Sequence, residues 1–187
     1  EKVLDLLKDK NINNFNLVGH SLGGLICIEI VKQYENKVSK LILVDTPTKQ
    51  TGLASLSIVQ FLNLKLIESN YETVIKEHYK KMTDNSELQA KLIKDALETD
   101  KFAYYSYFKE LFKVDYSNII GNLNVNTYVF FTKTLISDKS KINKIKDKYG
   151  YENVSENRIY YYKEAGHFLM LEEAEKFTNR LITILSS

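Results

Sequence analysis

The feature that most constrains this chain is a serine between two glycines, at the junction of two apolar segments. It lies in the stretch Gly19-His20-Ser21-Leu22-Gly23. The preceding run, Phe15 to Val18, is short and apolar like a buried strand, and apolar residues recur at helical spacing after Leu22. A strand that passes directly into a helix needs a sharp turn with little room for side chains, and the flanking glycines supply that room. The context predicts a strand–turn–helix element that lifts the serine hydroxyl above a sheet.

A second buried strand, Lys40 to Val44, follows the predicted helix and completes a strand–helix–strand unit. Short connections of this kind imply that the two strands are parallel. Both strands are apolar on both faces, as parallel strands covered by helices should be. Thr127 to Thr132 and Arg158 to Lys163 also have strand character, and a helical pattern runs from about Leu171 to Leu185. We therefore predict an α/β fold with a mostly parallel sheet and flanking helices.

The middle of the chain, from Leu53 to about Asn118, has long helical patterns and no convincing strand. We interpret it as a helical insertion between two α/β pieces. The predicted organisation is an α/β core with the serine turn in residues 1–48, the insertion in residues 49–116, and the C-terminal part of the core in residues 117–187. The aromatic residues between Phe102 and Phe112 either line an apolar pocket or form the insertion's own core, and we favour the core.

Composition excludes several classes of protein. With 187 residues, 44% hydrophobic and 27% charged, the chain can form one packed domain with an insertion. The net charge of +2 gives no nucleic-acid footprint, and no apolar run is long enough to predict a membrane span. Cys27 is the only cysteine, which fits a reducing compartment, so we predict a cytoplasmic location. No cluster has metal-ligand spacing, so no metal or cofactor is expected.

A serine hydroxyl becomes a good nucleophile only when a base takes its proton, so the three histidines are the candidates. His20 is adjacent to Ser21, and its side chain should point away from the place where a base is needed. His78 lies in the insertion, and we interpret it as a surface residue. His167 follows a predicted strand, and the carboxyl ends of parallel strands gather at one edge of the sheet. We therefore predict Ser21 as nucleophile and His167 as its base.

Three segments resemble the α/β-hydrolase superfamily, specifically its cap-bearing, esterase-like branch. They are "LVGHSLGG", "KLILVD" and "AGHFLMLEEAEKFTNRLITIL". The resemblance covers nearly the whole chain and implies the α/β-hydrolase fold with a helical cap over roughly residues 49–116. It also implies a Ser–acid–His catalytic triad.

The resemblance makes Ser21 the residue of a nucleophile elbow, with Gly19 and Gly23 as the elbow glycines. The backbone N–H of Leu22, at the N-terminus of the following helix, is the expected donor to an oxyanion. A second donor in this family comes from a loop after an early strand, and this sequence does not contain that loop.

Two aspartates are candidates for the acid of the triad. The family usually places the acid just after the strand before the last one, near Thr134 here, where no carboxylate is present. Asp138 is the nearest carboxylate, and we favour it. Asp45 is the alternative, because some members of the superfamily take the acid from the end of the strand that follows the nucleophile helix. The criterion is hydrogen-bond reach to His167 Nδ1.

Members of the family place several strands before the elbow, whereas this sequence has one helix there, so we expect an N-terminally incomplete version of the fold. The nucleophile strand should then form an open sheet edge. We expect a missing N-terminal segment, or a second copy in a homo-oligomer, to cover it.

The resemblance implies a serine hydrolase that cleaves a carboxylic ester or related acyl compound through an acyl-enzyme intermediate. The expected partner is a small-molecule acyl substrate. Fold analogy leaves a thioesterase or a carbon–carbon bond hydrolase open. A non-catalytic binding homologue on the same scaffold is the remaining alternative.

Overall fold

A single parallel sheet forms the centre of the molecule. The computed structural model describes residues 2–49 and 56–187. The strands lie in the order β1-β2-β3-β4, and each of the three pairings is parallel. The strands are β1 (Phe15–His20), β2 (Val38–Val44), β3 (Asn126–Thr132) and β4 (Ile159–Tyr162). The α/β class and the parallel sheet predicted from the sequence are confirmed.

The described residues also form ten α-helices, which divide between the faces of the sheet and the insertion. In chain order they are α1 (Lys2–Asp9), α2 (Leu22–Tyr34), α3 (Ser57–Ser69), α4 (Tyr71–Lys80), α5 (Ser86–Leu97), α6 (Lys101–Leu111), α7 (Ser117–Ile120), α8 (Ile142–Tyr149), α9 (Leu169–Glu172) and α10 (Ala174–Ser186). No helix in this described part of the chain combines the length and apolarity required to cross a bilayer.

The sheet is covered on both faces because its central strands are apolar on both. Leu41, Leu43 and Phe131 belong to one buried cluster, together with residues of α2 and α8. Ile42 and Phe130 belong to a second cluster, with residues of α9 and α10. The alternation of side chains along each strand thus supplies two cores at once, which is the arrangement expected of a parallel sheet between helices.

Strand β1 lies at the edge of the sheet. Within the described residues it pairs with β2 alone. Its Val18 is 43% exposed, and Ile26 on the adjoining helix α2 is 51% exposed. The open edge expected from the sequence is therefore present. That another segment or a second copy covers it stays a prediction.

The helical insertion, α3 to α6, has an apolar core of its own. That core is centred on Ile67, Ile75, Ala96 and Tyr104. At the base of the insertion, Lys49 and Asp115 form an antiparallel bridge, so the two ends of the insertion lie side by side. Residues 50–55, at the start of the predicted 49–116 segment, lie outside the described residues.

Candidate active site

Ser21 occupies the turn between β1 and α2. Its backbone has φ 51° and ψ −120°, a conformation with positive φ that residues other than glycine rarely adopt. The Ser21 N–H donates to the Val44 carbonyl at 2.9 Å, and the Gly24 N–H donates to the Ser21 carbonyl at 3.0 Å. These bonds fix the strained turn between two rigid elements. The predicted strand–turn–helix element is thus present, with the serine at its apex.

Close backbone packing explains two of the glycines around the turn. A Cβ on Gly19 would lie 2.6 Å from backbone atoms of Gly24, and a Cβ on Gly24 would overlap the side chain of Thr46. A Cβ on Gly23 would meet no heavy atom of the described residues within 4 Å. Close packing therefore requires glycine at positions 19 and 24, whereas the structure leaves room for a side chain at Gly23.

His167 forms a buried pair with Asp45. The carboxylate follows β2 directly and is fully buried, and its Oδ2 lies 2.7 Å from His167 Nδ1. Its other oxygen accepts the Thr132 N–H at 2.9 Å. Because a carboxylate accepts, Nδ1 carries the proton of the neutral ring, and Nε2 is left as the basic nitrogen.

Asp138 lies away from this pair. It is exposed at the start of a 3₁₀ turn, Lys139–Lys141, where its carboxylate accepts the N–H and O–H of Ser140 at 3.0 and 2.8 Å. The backbone and side-chain hydrogen bonds from Ser140 lower the pKa of Asp138. The sequence-based preference for Asp138 is therefore not supported by the geometry, which places the alternative, Asp45, against His167.

The turn of chain after β3 explains this outcome. The N–H groups of Leu135 and Ile136 both donate to the Thr132 carbonyl, at 3.2 and 3.1 Å. These bonds curl the chain immediately after the strand. The next carboxylate, Asp138, lies four residues after Thr134 and is consequently on the outer surface.

Three hydrogen bonds fix the backbone of Gly166 and His167. The His167 N–H donates to the Met82 carbonyl at 2.6 Å, and His20 Nε2 donates to the His167 carbonyl at 2.8 Å. The Gly166 N–H donates to Glu172 Oε2 at 3.1 Å. Met82 belongs to the turn after α4, so the helical insertion is hydrogen bonded directly to the loop of the candidate base.

His20 thus has a positional role that the sequence alone did not reveal. Burial, together with the nearby charge of His167, lowers its pKa from 6.5 to about 4. The ring is therefore neutral at pH 7. In that state one ring nitrogen donates to the carbonyl of His167, and the prediction that its ring does not serve Ser21 as a base agrees with this contact.

Ser21 and His167 open onto a shared cavity of about 420 Å³. Among the hydrogen bonds of the described residues, none joins the Ser21 hydroxyl to the His167 ring. Such bonds are often long before substrate binds. The insertion contributes much of the wall, through His78, Tyr104, Tyr107, Phe108, Leu111 and Phe112.

The interpretation of His78 as a surface residue is wrong. Its ring packs edge-on against Phe108, with centroids 5.4 Å apart, and it lines the cavity. Burial, and next the charge of His167, lower its pKa from 6.5 to about 4. The flanking Glu77 and Tyr79 gave no sign of this, because helix α6 covers His78 only in the folded chain.

The N-terminus of α2 faces the same region. Leu22 is the first residue of the helix, so its N–H has no acceptor within the helix. The partial positive charge at a helix N-terminus favours an anion there. Within the described residues, no group of three or more His, Cys, Asp or Glu side chains is arranged to hold a metal ion.

Comparison with known proteins agrees with the arrangement of sheet and elbow. A family model described as alpha/beta hydrolase fold matches residues 1–174. The chain belongs to the α/β-hydrolase fold family. This confirms the resemblance that the sequence motifs indicated.

Solved α/β-hydrolase structures superpose on the whole chain. An esterase from Exiguobacterium antarcticum has a TM-score of 0.82 at 19% identity, and the superposition covers 100% of this chain and 72% of the esterase chain. A bromoperoxidase from Bacillus anthracis has a TM-score of 0.80 at 15% identity, with 99% and 72% covered. At such identities the likeness shows the fold alone.

A curated relative is more similar in sequence. The protein named "Putative esterase/lipase 2" from Mycoplasma genitalium is 28% identical over 120 residues. The match spans 64% of this α/β-hydrolase chain and 40% of the relative. The matched region therefore spans less than half of the length of that relative.

Proposed function

We propose that this chain carries the catalytic centre of a serine hydrolase that cleaves carboxylic esters or related acyl compounds. The observation that carries the proposal is the cavity shared by Ser21 and His167, together with the buried contact between His167 Nδ1 and Asp45. A serine in a strained elbow, a histidine and a buried carboxylate are the parts that acyl transfer requires. The name of the Mycoplasma genitalium relative and the esterase among the structural neighbours support the same chemistry.

The first half of the reaction forms an acyl-enzyme. Ser21 Oγ attacks the substrate carbonyl carbon while His167 Nε2 takes the hydroxyl proton. The carbonyl oxygen becomes an oxyanion, which the Leu22 N–H at the start of α2 binds. When the tetrahedral intermediate collapses, the bond to the leaving alcohol breaks, and His167 returns the proton to that oxygen.

The second half releases the acid. Water attacks the acyl-enzyme carbonyl as His167 takes its proton, and the proton then returns to Ser21 Oγ as the ester bond to the enzyme breaks. Asp45 holds the imidazole in the tautomer with Nδ1 protonated and stabilises the imidazolium formed in each half. The Thr132 N–H on its second oxygen keeps the carboxylate oriented.

The cavity also suggests the character of the substrate. Most of the side chains that the helical insertion contributes are aromatic or aliphatic. Such walls hold an apolar group by removing its surface from water. We therefore propose that the insertion acts as the cap of the enzyme and that the acyl or alcohol part of the ester is apolar.

A fluorophosphonate probe and ester hydrolysis test the proposal with one set of variants. The wild-type chain should be labelled, and Ser21→Ala should lose labelling completely while its circular dichroism spectrum is unchanged. Asp45→Asn should lower kcat/KM on p-nitrophenyl esters by roughly 1,000- to 10,000-fold, as loss of the orienting carboxylate does elsewhere.

Asp138→Asn is the matched control, since it removes the other candidate carboxylate from an exposed position. It should remain within about threefold of wild type, as surface substitutions usually do. Absence of labelling in a folded wild-type sample would contradict the hydrolase. A larger loss in Asp138→Asn than in Asp45→Asn would contradict the assignment of the acid.

A further inference from the structure

A second cavity, of about 360 Å³, lies in the helical insertion next to the catalytic cavity and opens to solvent beside the exposed residues Asn70, Glu77 and Lys81. Leu66, Ile67 and Val74 contribute apolar walls to it, from helices α3 and α4. It shares two wall residues with the catalytic cavity, His78 and Phe108. These two side chains therefore stand between the catalytic chamber and the second one.

The partition consists of side chains rather than backbone. His78 projects from α4 and Phe108 from α6, and their rings meet edge to face at 5.4 Å with an interplanar angle of 78°. Phe108 is held on its other sides by Tyr104, stacked at 4.7 Å, and by Phe112 at 5.9 Å. A rotation or truncation of one ring would open the partition without breaking a helix.

The partition is also compatible with an apolar ligand on either side. A phenyl ring and an uncharged imidazole both tolerate contact with a hydrocarbon chain, whereas an imidazolium would resist desolvation. The burial of His78 keeps it in the uncharged form at neutral pH. The wall thus presents an apolar end to whatever chain lies in the catalytic cavity.

We propose that the His78–Phe108 contact is a chain-length filter, which ends the catalytic cavity and confines the apolar chain of the ester substrate to short lengths. The inference rests on the proposed esterase function and adds the residues that set its substrate range. When the contact is closed, a long chain has no place beyond Phe108. When it is opened, the chain extends into the second cavity, and each additional methylene there contributes binding.

The test measures kcat/KM for p-nitrophenyl esters from acetate to dodecanoate, and for acetate esters of alcohols of increasing length. The wild type should prefer short chains. Phe108→Ala should raise the ratio of long-chain to short-chain kcat/KM on the order of tenfold or more in at least one series, because several methylenes gain an apolar site. His78→Ala opens the same wall from the other helix and should act in the same direction, which keeps the test valid should Phe108→Ala fail to fold.

Two further variants isolate the second cavity. Tyr107→Ala enlarges the catalytic cavity without touching the second one and should leave the long-to-short ratio within about threefold of wild type. Leu66→Trp, placed in the Phe108→Ala background, fills the second cavity and should return the ratio toward the wild-type value. An unchanged ratio in both opening variants, or an equal gain in Tyr107→Ala, overturns the filter.

Fluorophosphonate labelling separates the two proposals. The probe needs Ser21 and His167 and does not need the second cavity. Opening variants that are still labelled but show no change of chain-length ratio would refute the filter alone. A wild-type chain that is neither labelled nor active on any ester would refute the hydrolase itself.

Discussion

Ser21 and Asp45 share an unusual backbone conformation, and each follows the end of one of two neighbouring strands. Their φ values are 51° and 44°, in the region that glycine favours. The N–H of each residue donates across to the next strand, from Ser21 to Val44 and from Asp45 to Phe130, at 2.9 and 2.8 Å. The sheet therefore extends one hydrogen bond past each strand before the chain turns. Such conformations cost about 1–3 kcal/mol each and persist only where the surroundings enforce them.

At the same scale, the two perturbed histidines make stability depend on pH. His20 and His78 have a pKa of about 4 in the folded chain and about 6.5 when unfolded. As the pH falls from 6.5 towards 4, the unfolded chain binds protons that the folded chain does not. The free energy of unfolding should therefore fall in this window, by on the order of 1 kcal/mol per histidine at pH 5.

Urea unfolding of wild type and His78→Phe at pH 7 and pH 5 checks this expectation. The phenyl ring keeps the contact with Phe108 and cannot titrate. The loss of stability between the two pH values should be smaller in the variant than in the wild type. The charged groups that also lower the pKa of His78, His167 and Lys81, are present in both proteins. Equal losses in both would contradict the assignment.

At the scale of elements, the start of α2 depends on its close approach to the end of β2. A Cβ on Gly24 would overlap Thr46, which is fully buried and whose hydroxyl donates to the Val44 carbonyl. Gly24→Ala should therefore push the helix outward, lower the free energy of unfolding by about 1–3 kcal/mol and slow probe labelling of Ser21.

Gly23→Ala is the control for this prediction, since it adds the same methyl group one residue earlier, where the described residues leave open space. Alanine is the better helix former, so this variant should be neutral or more stable by up to about 1 kcal/mol. Chemical denaturation of both variants decides the matter. Equal losses of stability in the two variants would contradict the claim that Gly24 is needed for close packing on Thr46.

The elements were predictable because their sequence signals are local. The buried strands are uninterrupted apolar runs, and the elbow combines such a run with a glycine-flanked serine and a helical pattern. His167 was predictable from its place between the last strand and the last helices. The acid was not, because its identity depends on hydrogen bonds that turn the chain after Thr132 and on the reach of Asp45 across the sheet. Neither the hydrogen bonds after Thr132 nor the reach of Asp45 produces a periodic pattern in the sequence.

At the scale of the whole molecule, the insertion and the core meet at Gly166. A Cβ there would overlap the Met82 carbonyl oxygen and lie 3.0 Å from Thr83 Cα, both in the backbone of the insertion. Gly166→Ala should separate the two parts and shift the loop that holds His167. We expect a loss of about 1–3 kcal/mol in stability. A displacement near 1 Å should lower kcat/KM by roughly 100-fold.

Gly121→Ala is the matched control, because the nearest atom to its added Cβ, Asn153 Nδ2, would be 3.6 Å away. It should change stability by no more than about 0.5 kcal/mol and leave kcat/KM unchanged. Urea denaturation and steady-state kinetics on the two variants provide the comparison. A fully active Gly166→Ala would show that the contact between insertion and loop does not position the base.

The hydrogen bond from the His167 N–H to the Met82 carbonyl links the wall of the cavity to the loop that carries His167. The helix before Met82 also carries His78, which lines that cavity. We expect a ligand that is too large for the cavity to displace this helix and, through the hydrogen bond, the loop of the proposed base. A ligand that fits should leave His167 in place. On the proposed hydrolase mechanism, a poor fit should therefore lower the rate of acyl transfer as well as the affinity for the ligand.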